Sequence, residues 1–181
     1  MSDTIQKIHI DLSANSYDIL IGRNLFTAAM AELLPFIENR QIILISDEQV
    51  GSLYLEKIEN ALTPHARSIH RALVPAGEAS KSFACFEELV NEILALNIDR
   101  RALIIAIGGG VVGDLAGYVA ANLLRGIDFI QVPTSLLAQV DSSVGGKTGI
   151  NTPAKIWSGH FISPKWCWPI LKCCPACRFV N

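Results

Sequence analysis

Residues 102–114 read Ala102-Leu103-Ile104-Ile105-Ala106-Ile107-Gly108-Gly109-Gly110-Val111-Val112-Gly113-Asp114. A short apolar run meets three glycines and then opens into helical spacing. The run is too short to span a membrane and predicts a strand buried on both faces. The glycines let the backbone turn sharply and approach a ligand without interference from a Cβ. The next helix starts with unpaired N–H groups and a partial positive charge, a setting that suits a phosphate.

Gly108, Gly110 and Gly113 spell G-x-G-x-x-G between a strand and a helix, the form of a dinucleotide-binding turn. The usual fingerprint also wants an acidic residue about twenty positions on, at the end of the next strand. Here that strand, Phe129-Ile130-Gln131-Val132-Pro133, ends at Thr134. The glycines alone leave two readings open: a phosphate turn outside the standard Rossmann position, or a tight strand-to-helix turn without a ligand.

The 181 residues suffice for one domain with a real core. Apolar residues make up 50% and charged ones 18%, a globular balance rather than a disordered one. A net charge of -2 leaves no basic footprint and argues against nucleic acid as a partner. No apolar run reaches membrane-spanning length. Met1 to Lys7 lacks the basic segment and apolar core of a secretory signal, so a cytoplasmic location is the expectation. Cys167, Cys173, Cys174 and Cys177 and all three tryptophans fall after residue 155, a shift that marks a boundary near Ala154-Lys155.

Ile5 to Leu12 and Tyr17 to Ile21 predict two strands paired as an edge ribbon. Leu25 to Leu34 predicts a helix stopped by Pro35. Gln41 to Asp47 is the first buried strand. Asp47 stands at its carboxyl end, where it could hold ribose hydroxyls or cap the next helix, Ser52 to Leu62. Arg67 to Val74 is another strand, followed by the polar loop Pro75 to Ser82 and a helix capped by Ser82. On position alone, Glu78 and Lys81 read as surface charges. Val111 to Leu124 predicts a helix in which Asp114 complements the dipole from the first turn, and Arg125-Gly126 closes it. Thr134-Ser135 caps a further helix through Leu136, Leu137 and Val140. Asp141, Ser142, Ser143, Gly145, Gly146 and Lys147 then crowd together as a loop or a binding wall. Alternating strands and helices predict an α/β fold with a mostly parallel sheet.

Several stretches together resemble one family: PAGEASKS (Pro75 to Ser82), GGGVVGD (Gly108 to Asp114), Arg125-Gly126, and FIQVPTSLLAQVDSSVGGK (Phe129 to Lys147). Residues 5–152 look like the N-terminal domain of the 3-dehydroquinate synthases, which implies a Rossmann-like NAD-binding domain over 1–154. The resemblance implies a lyase of the shikimate pathway that forms 3-dehydroquinate and releases phosphate. It also implies recycled NAD, a divalent metal (zinc or cobalt), a sugar-phosphate substrate and a homodimer. It puts Asp47 on the adenosine ribose, and Glu78 and Lys81 in the NAD loop. Gly109, Gly110, Val111, Gly113 and Asp114 fall at the pyrophosphate turn, with Thr134 and Ser135 beside the cofactor. Arg125, Asp141 and Lys147 fall at substrate-contacting positions, with Arg125 reaching a neighbouring subunit. A phosphorylated sugar acid calls for such cations, which supply charge-assisted hydrogen bonds. A related sugar-phosphate cyclase, such as 2-deoxy-scyllo-inosose synthase, and a non-catalytic NAD-binding remnant are the other readings. Metal-dependent alcohol dehydrogenases share the architecture but match the DSSVGGK segment less well.

After Asn151-Thr152-Pro153-Ala154 the resemblance breaks. The family continues with a glycine and then roughly KNMxGAFYQP, whereas Lys155 to Pro164 reads KIWSGHFISP. Shifted by one base on permitted codons, that stretch becomes NMVGAFYQP, followed by KMVLADLEVLP, both family-like. Residues 155–181 are therefore expected to be a frameshifted tail that packs poorly. The C-x-x-C of Cys174 and Cys177, with His160 upstream, is then explained without a zinc site. The family's metal ligands, one glutamate and two histidines, belong to a C-terminal helical domain. None of His9, His65, His70 and His160 matches them, so an inactive chain without a metal site is expected.

Overall fold

The computed structural model describes residues 5–11, 16–144, 146–151, 158–161 and 166–167, the last two segments by their backbone. β1 (Gln6–Ile10) and β2 (Tyr17–Ile21) form the expected antiparallel ribbon, with Ile8 opposite Ile19. α1 (Leu25–Ala28) and α2 (Met30–Ile37) lead into β3 (Gln41–Asp47). Then come α3 (Glu48–Leu62), β4 (Ser68–Val74), α4 (Phe83–Ala95), β5 (Leu103–Gly108), α5 (Gly110–Asn122) and β6 (Asp128–Pro133). β7 (Lys147–Ile150) pairs antiparallel with β8 (Ser158–Phe161), and β9 (Trp166–Cys167) is the last described strand.

The main sheet has the order β1-β2-β9-β6-β5-β3-β4, and only the β1–β2 pair is antiparallel. β3 and β5 alternate strictly between two cores, as the period of a strand demands. Ile42, Leu44, Leu103, Ile105 and Ile107 pack with the helices α1 to α3 on one face. Ile43, Ile45, Ile104 and Ala106 pack with α4 and α5 on the other. Each fully buried Leu or Ile contributes about 1.5–3 kcal/mol. Strands buried on both faces thus explain the unbroken apolar run at residues 102–107.

Chain order locates the ligand-binding end. β3 leads outward to β4 on one side, and β5 leads to β6 on the other. The neighbours β3 and β5 therefore flank the point where the connections diverge, the crevice where open α/β sheets bind ligands. Asp47 ends one of these strands and Gly108 the other. On the far side of α5, Gly117 admits β7: a Cβ there would stand 2.3 Å from Thr148 Cγ2 and 3.2 Å from Phe129 Cε1.

The structure corrects one expectation for the frame. Pro35 does not stop its helix but sits inside α2, which runs on to Ile37. Its missing N–H only frees the carbonyl of Ala31, an exposed residue where water can serve. Residues 166–167 supply backbone pairing between β2 and β6. The expectations for the tail, including those for Cys173, Cys174 and Cys177, lie outside the described residues.

Candidate functional site

The glycine turn forms the floor. β5 ends at Gly108, whose carbonyl accepts from Thr134 N at 2.9 Å and so ties the turn to the end of β6. Gly109 is the N-cap of α5 in extended backbone and brings no side-chain cap. The first helical bond runs from Gly113 N to Gly109 O at 3.1 Å. The N–H groups of Gly110, Val111 and Val112 therefore have no acceptor within the helix. Gly108, Gly109, Gly110 and Gly113, with Gln131 and Ser142, line a small recess over this helix start. Ser135 accepts from Ala138 N at 3.3 Å, and its Oγ stands 3.5 Å from where a Cβ on Gly109 would be.

A charged pair follows the glycine turn along α5. Lys81 is buried, and its Nζ pairs with Asp114 Oδ2. This overturns the reading of Lys81 as a surface charge. The loop is drawn inward because Asn151 N donates to the Lys81 carbonyl at 2.8 Å while Asn151 Nδ2 donates to Glu78 Oε1 at 2.8 Å. Glu78 remains exposed, as the sequence suggests. Asp114 lies beyond the first turn of α5, since the helix starts at Gly110, so the dipole explanation gives way to the Lys81 pair. Burial pushes the Asp114 carboxyl above its ordinary value and Glu78 adds to the push, against the hydrogen bond and charge of Lys81.

Asp47 does cap α3: its Oδ1 accepts from Gln49 N at 3.0 Å and Val50 N at 2.9 Å. Both bonds use one oxygen, so the cap does not consume Oδ2, and the half-buried carboxylate stays at the carboxyl edge beside β5. Capping and ligand binding are compatible here rather than alternatives.

The expected substrate positions lie at different distances from the turn. Asp141 is exposed and precedes Ser142 of the recess, and Lys147 is exposed at the start of β7, which packs on α5. Arg125 is exposed at the opposite end of α5. Thirteen helical residues, at 1.5 Å each, put it about 20 Å from the glycine turn. Leu124 and Arg125 hold φ of 50° and 71°, and Gly126 holds 104°, which turns the chain back into β6. Sequence reasoning assigned no role to Gln131, Ser142 or Asn151. Only the crowding of polar residues after Val140 hinted at Ser142.

A family model described as 3-dehydroquinate synthase N-terminal matches residues 71–175. The chain belongs to this family. It is 47% identical over 162 residues to the 3-dehydroquinate synthase of Paracoccus denitrificans (strain Pd 1222), covering 89% of this chain and 44% of that protein. This 3-dehydroquinate synthase family chain thus spans less than half the length of that relative. Its fold matches a 2-deoxy-scyllo-inosose synthase solved with carbaglucose-6-phosphate, NAD+ and Co2+. There the TM-score is 0.82 at 27% identity, over 90% of this chain and 44% of that one. It also matches the 2-epi-5-epi-valiolone synthase ValA from Streptomyces hygroscopicus subsp. jinggangensis 5008, solved with NAD+ and Zn2+. That TM-score is 0.74 at 26% identity, over 88% of this chain and 43% of that one. Among the described residues no helix is long and apolar enough to cross a membrane.

Proposed function

We propose that this chain is the NAD-binding part of a 3-dehydroquinate synthase, which converts 3-deoxy-D-arabino-heptulosonate 7-phosphate to 3-dehydroquinate and phosphate. The observation that carries the reading is the open helix start of α5 at the sheet's switch point, followed along the helix by the Lys81–Asp114 pair, in which the lysine is buried and the carboxylate half-buried. A recess with free amides and a buried hydroxyl without a partner fits a phosphate-bearing cofactor. When bound, NAD would supply a reversible hydride acceptor for a ring hydroxyl. The chain's own residues bind and orient it. Asp47 takes adenosine ribose hydroxyls, and Gly109, Gly110, Val111 and Gly113 let the pyrophosphate reach the α5 amides. Lys81, held by Asp114 and flanked by Glu78, contributes fixed positive charge, and Thr134 and Ser135 flank the cofactor. The 47% identity to a dehydroquinate synthase, against 27% to an inosose synthase, favours the first substrate class.

Asp141 and Lys147 are assigned to the substrate, and Arg125, at the far end of α5, to the substrate of a neighbouring subunit in a dimer. Among the described residues no group of three His, Cys, Asp or Glu side chains is placed to share a metal ion. The expected outcome for the purified chain is NAD binding without turnover, since no group of described side chains is placed to share the divalent metal that the family resemblance implies. Isothermal titration with NAD and a phosphate-release assay with the heptulosonate phosphate and zinc test this. No detectable NAD binding refutes the cofactor role, and turnover near that of a full-length synthase refutes the inactivity.

A further inference from the structure

Two adjacent serines on one turn behave differently. Residues Ala138–Ser142 form a single π-turn, closed by Ser143 N donating to Ala138 O at 3.1 Å. The Ser143 hydroxyl is spent on the same Ala138 carbonyl. The Ser142 hydroxyl oxygen is sealed from solvent and has no hydrogen-bond partner. The extra residue of a π-turn rotates the residues after it, and such turns recur at functional sites. Here it aims Ser142 at the start of α5: a Cβ on Gly110 would stand 3.0 Å from Ser142 Oγ. Ser142 lines the recess together with Gly108, Gly109 and Gly110.

A buried hydroxyl without a partner is costly, so its place calls for an acceptor that arrives from outside. The neighbouring N–H groups of Gly110, Val111 and Val112 ask for the same thing. One anionic oxygen in the recess would satisfy both. We propose that the Ser142 hydroxyl donates to a pyrophosphate oxygen of the dinucleotide held at the α5 N-terminus, which makes Ser142 a cofactor-binding residue. This rests on the cofactor reading above and adds a donor that neither the glycine pattern nor the family resemblance assigned.

The inference predicts effects of opposite sign in one variant. Ser142→Ala in the full chain weakens NAD and ADP-ribose about tenfold by isothermal titration, the size expected for one lost hydrogen bond to a charged group. Adenosine, which lacks the pyrophosphate, binds equally to both proteins by ligand-observed NMR. The ligand-free melting temperature stays level or rises, because a sealed hydroxyl without a partner has been removed. Ser142→Cys keeps the shape with only a weak S–H donor and loses affinity in the same direction. Equal NAD affinity in Ser142→Ala and the parent chain overturns the inference, as a water-satisfied hydroxyl would give. A fall in adenosine affinity as large as that for NAD overturns it, and so does a markedly lower ligand-free melting temperature, which would mark the hydroxyl as structural. A parent chain that binds neither NAD nor ADP-ribose rejects the cofactor reading itself, and this inference with it.

Discussion

The two ends of the same parallel sheet treat their polar groups in opposite ways. At the amino end, the buried Arg40 spends its guanidinium on Arg101 O, on Ala102 O at 3.2 Å and on Asp128 Oδ2 at 2.7 Å. One side chain thereby ties together the starts of β3, β5 and β6. At the carboxyl end, a helix start keeps free amides, Ser142 keeps a sealed hydroxyl without a partner, and the half-buried Asp114 pairs with the buried Lys81. Both ends are built on the same apolar strands, so packing does not explain the contrast. The amino end is complete without a ligand, and the carboxyl end is not. Local rules tend to be broken where a protein binds or reacts.

The largest expected effect is at the complete end. Arg40→Ala leaves two strand-start carbonyls and the partly exposed Asp128 carboxylate without their partner and costs about 4 kcal/mol, chiefly from the carbonyls left unpaired. The urea midpoint should fall accordingly. NAD affinity in the folded fraction should not change, since a six-residue strand at 3.3 Å per residue puts Arg40 about 20 Å from the glycine turn. A coupled loss of NAD affinity would break the division between the two ends.

Lys81→Met ranks next. Methionine replaces the stem but leaves the half-buried Asp114 carboxylate without its cation, at a cost of about 3 kcal/mol near neutral pH. Here stability and NAD affinity should fall together, unlike at Arg40. A variant that keeps both would remove Lys81 from the site.

Gly117→Ala tests how the carboxyl end is held in shape. The added methyl would overlap Thr148 and press on Phe129, an overpacking worth about 2 kcal/mol. β7 would be displaced, and with it Asn151, which positions Lys81 and Glu78. NAD affinity should drop although Gly117 lies about a turn beyond Asp114 along α5. Unchanged affinity at reduced stability would show that the loop holds its place without β7.

Much of this contrast was legible in the sequence because it depends on periodicity and turn chemistry. The apolar run before Gly108 announced a strand buried on both faces, and the glycines announced the turn. The same chemistry marks Asp47 as a strand end and Ser82 as a cap, whose hydroxyl accepts from Cys85 N at 3.4 Å. What sequence could not show is which charges are dry. Lys81 read as solvated because its loop is polar, yet the bonds from Asn151, seventy residues on, draw the loop inward. Asp114 read as a helix-dipole partner because the true helix start was one residue earlier than expected. Ser142 and Ser143 look alike in the sequence, and only the π-turn separates them. Strand pairing by Trp166–Cys167 was invisible because a two-residue strand has no period.

The smallest expected effect concerns the sign of one titration. Burial raises the Asp114 carboxyl pKa above its ordinary value even though Lys81 pulls the other way. The folded state then holds the proton more tightly than the unfolded chain. Between the ordinary carboxyl value of 3.8 and the raised folded value, folding takes up protons, so stability falls as pH rises through that window. Other groups mask this in the parent chain. Burial pushes Asp18 up, but His9 and Lys7 hold it below its ordinary value, and Arg67 and the Arg101 N–H lower Asp99. Both lose stability as pH falls, the opposite slope. Asp114→Asn cancels these shared terms, because the two proteins differ at one titrating position only. The stability of the parent minus that of Asp114→Asn, from urea melts between pH 4 and 7, should decline with rising pH and then level off. A difference that grows toward neutral pH would mean that the Lys81 pair outweighs burial. The carboxyl end would then be as fully compensated in its charges as the Arg40 end, and the contrast would rest on the free amides and Ser142 alone.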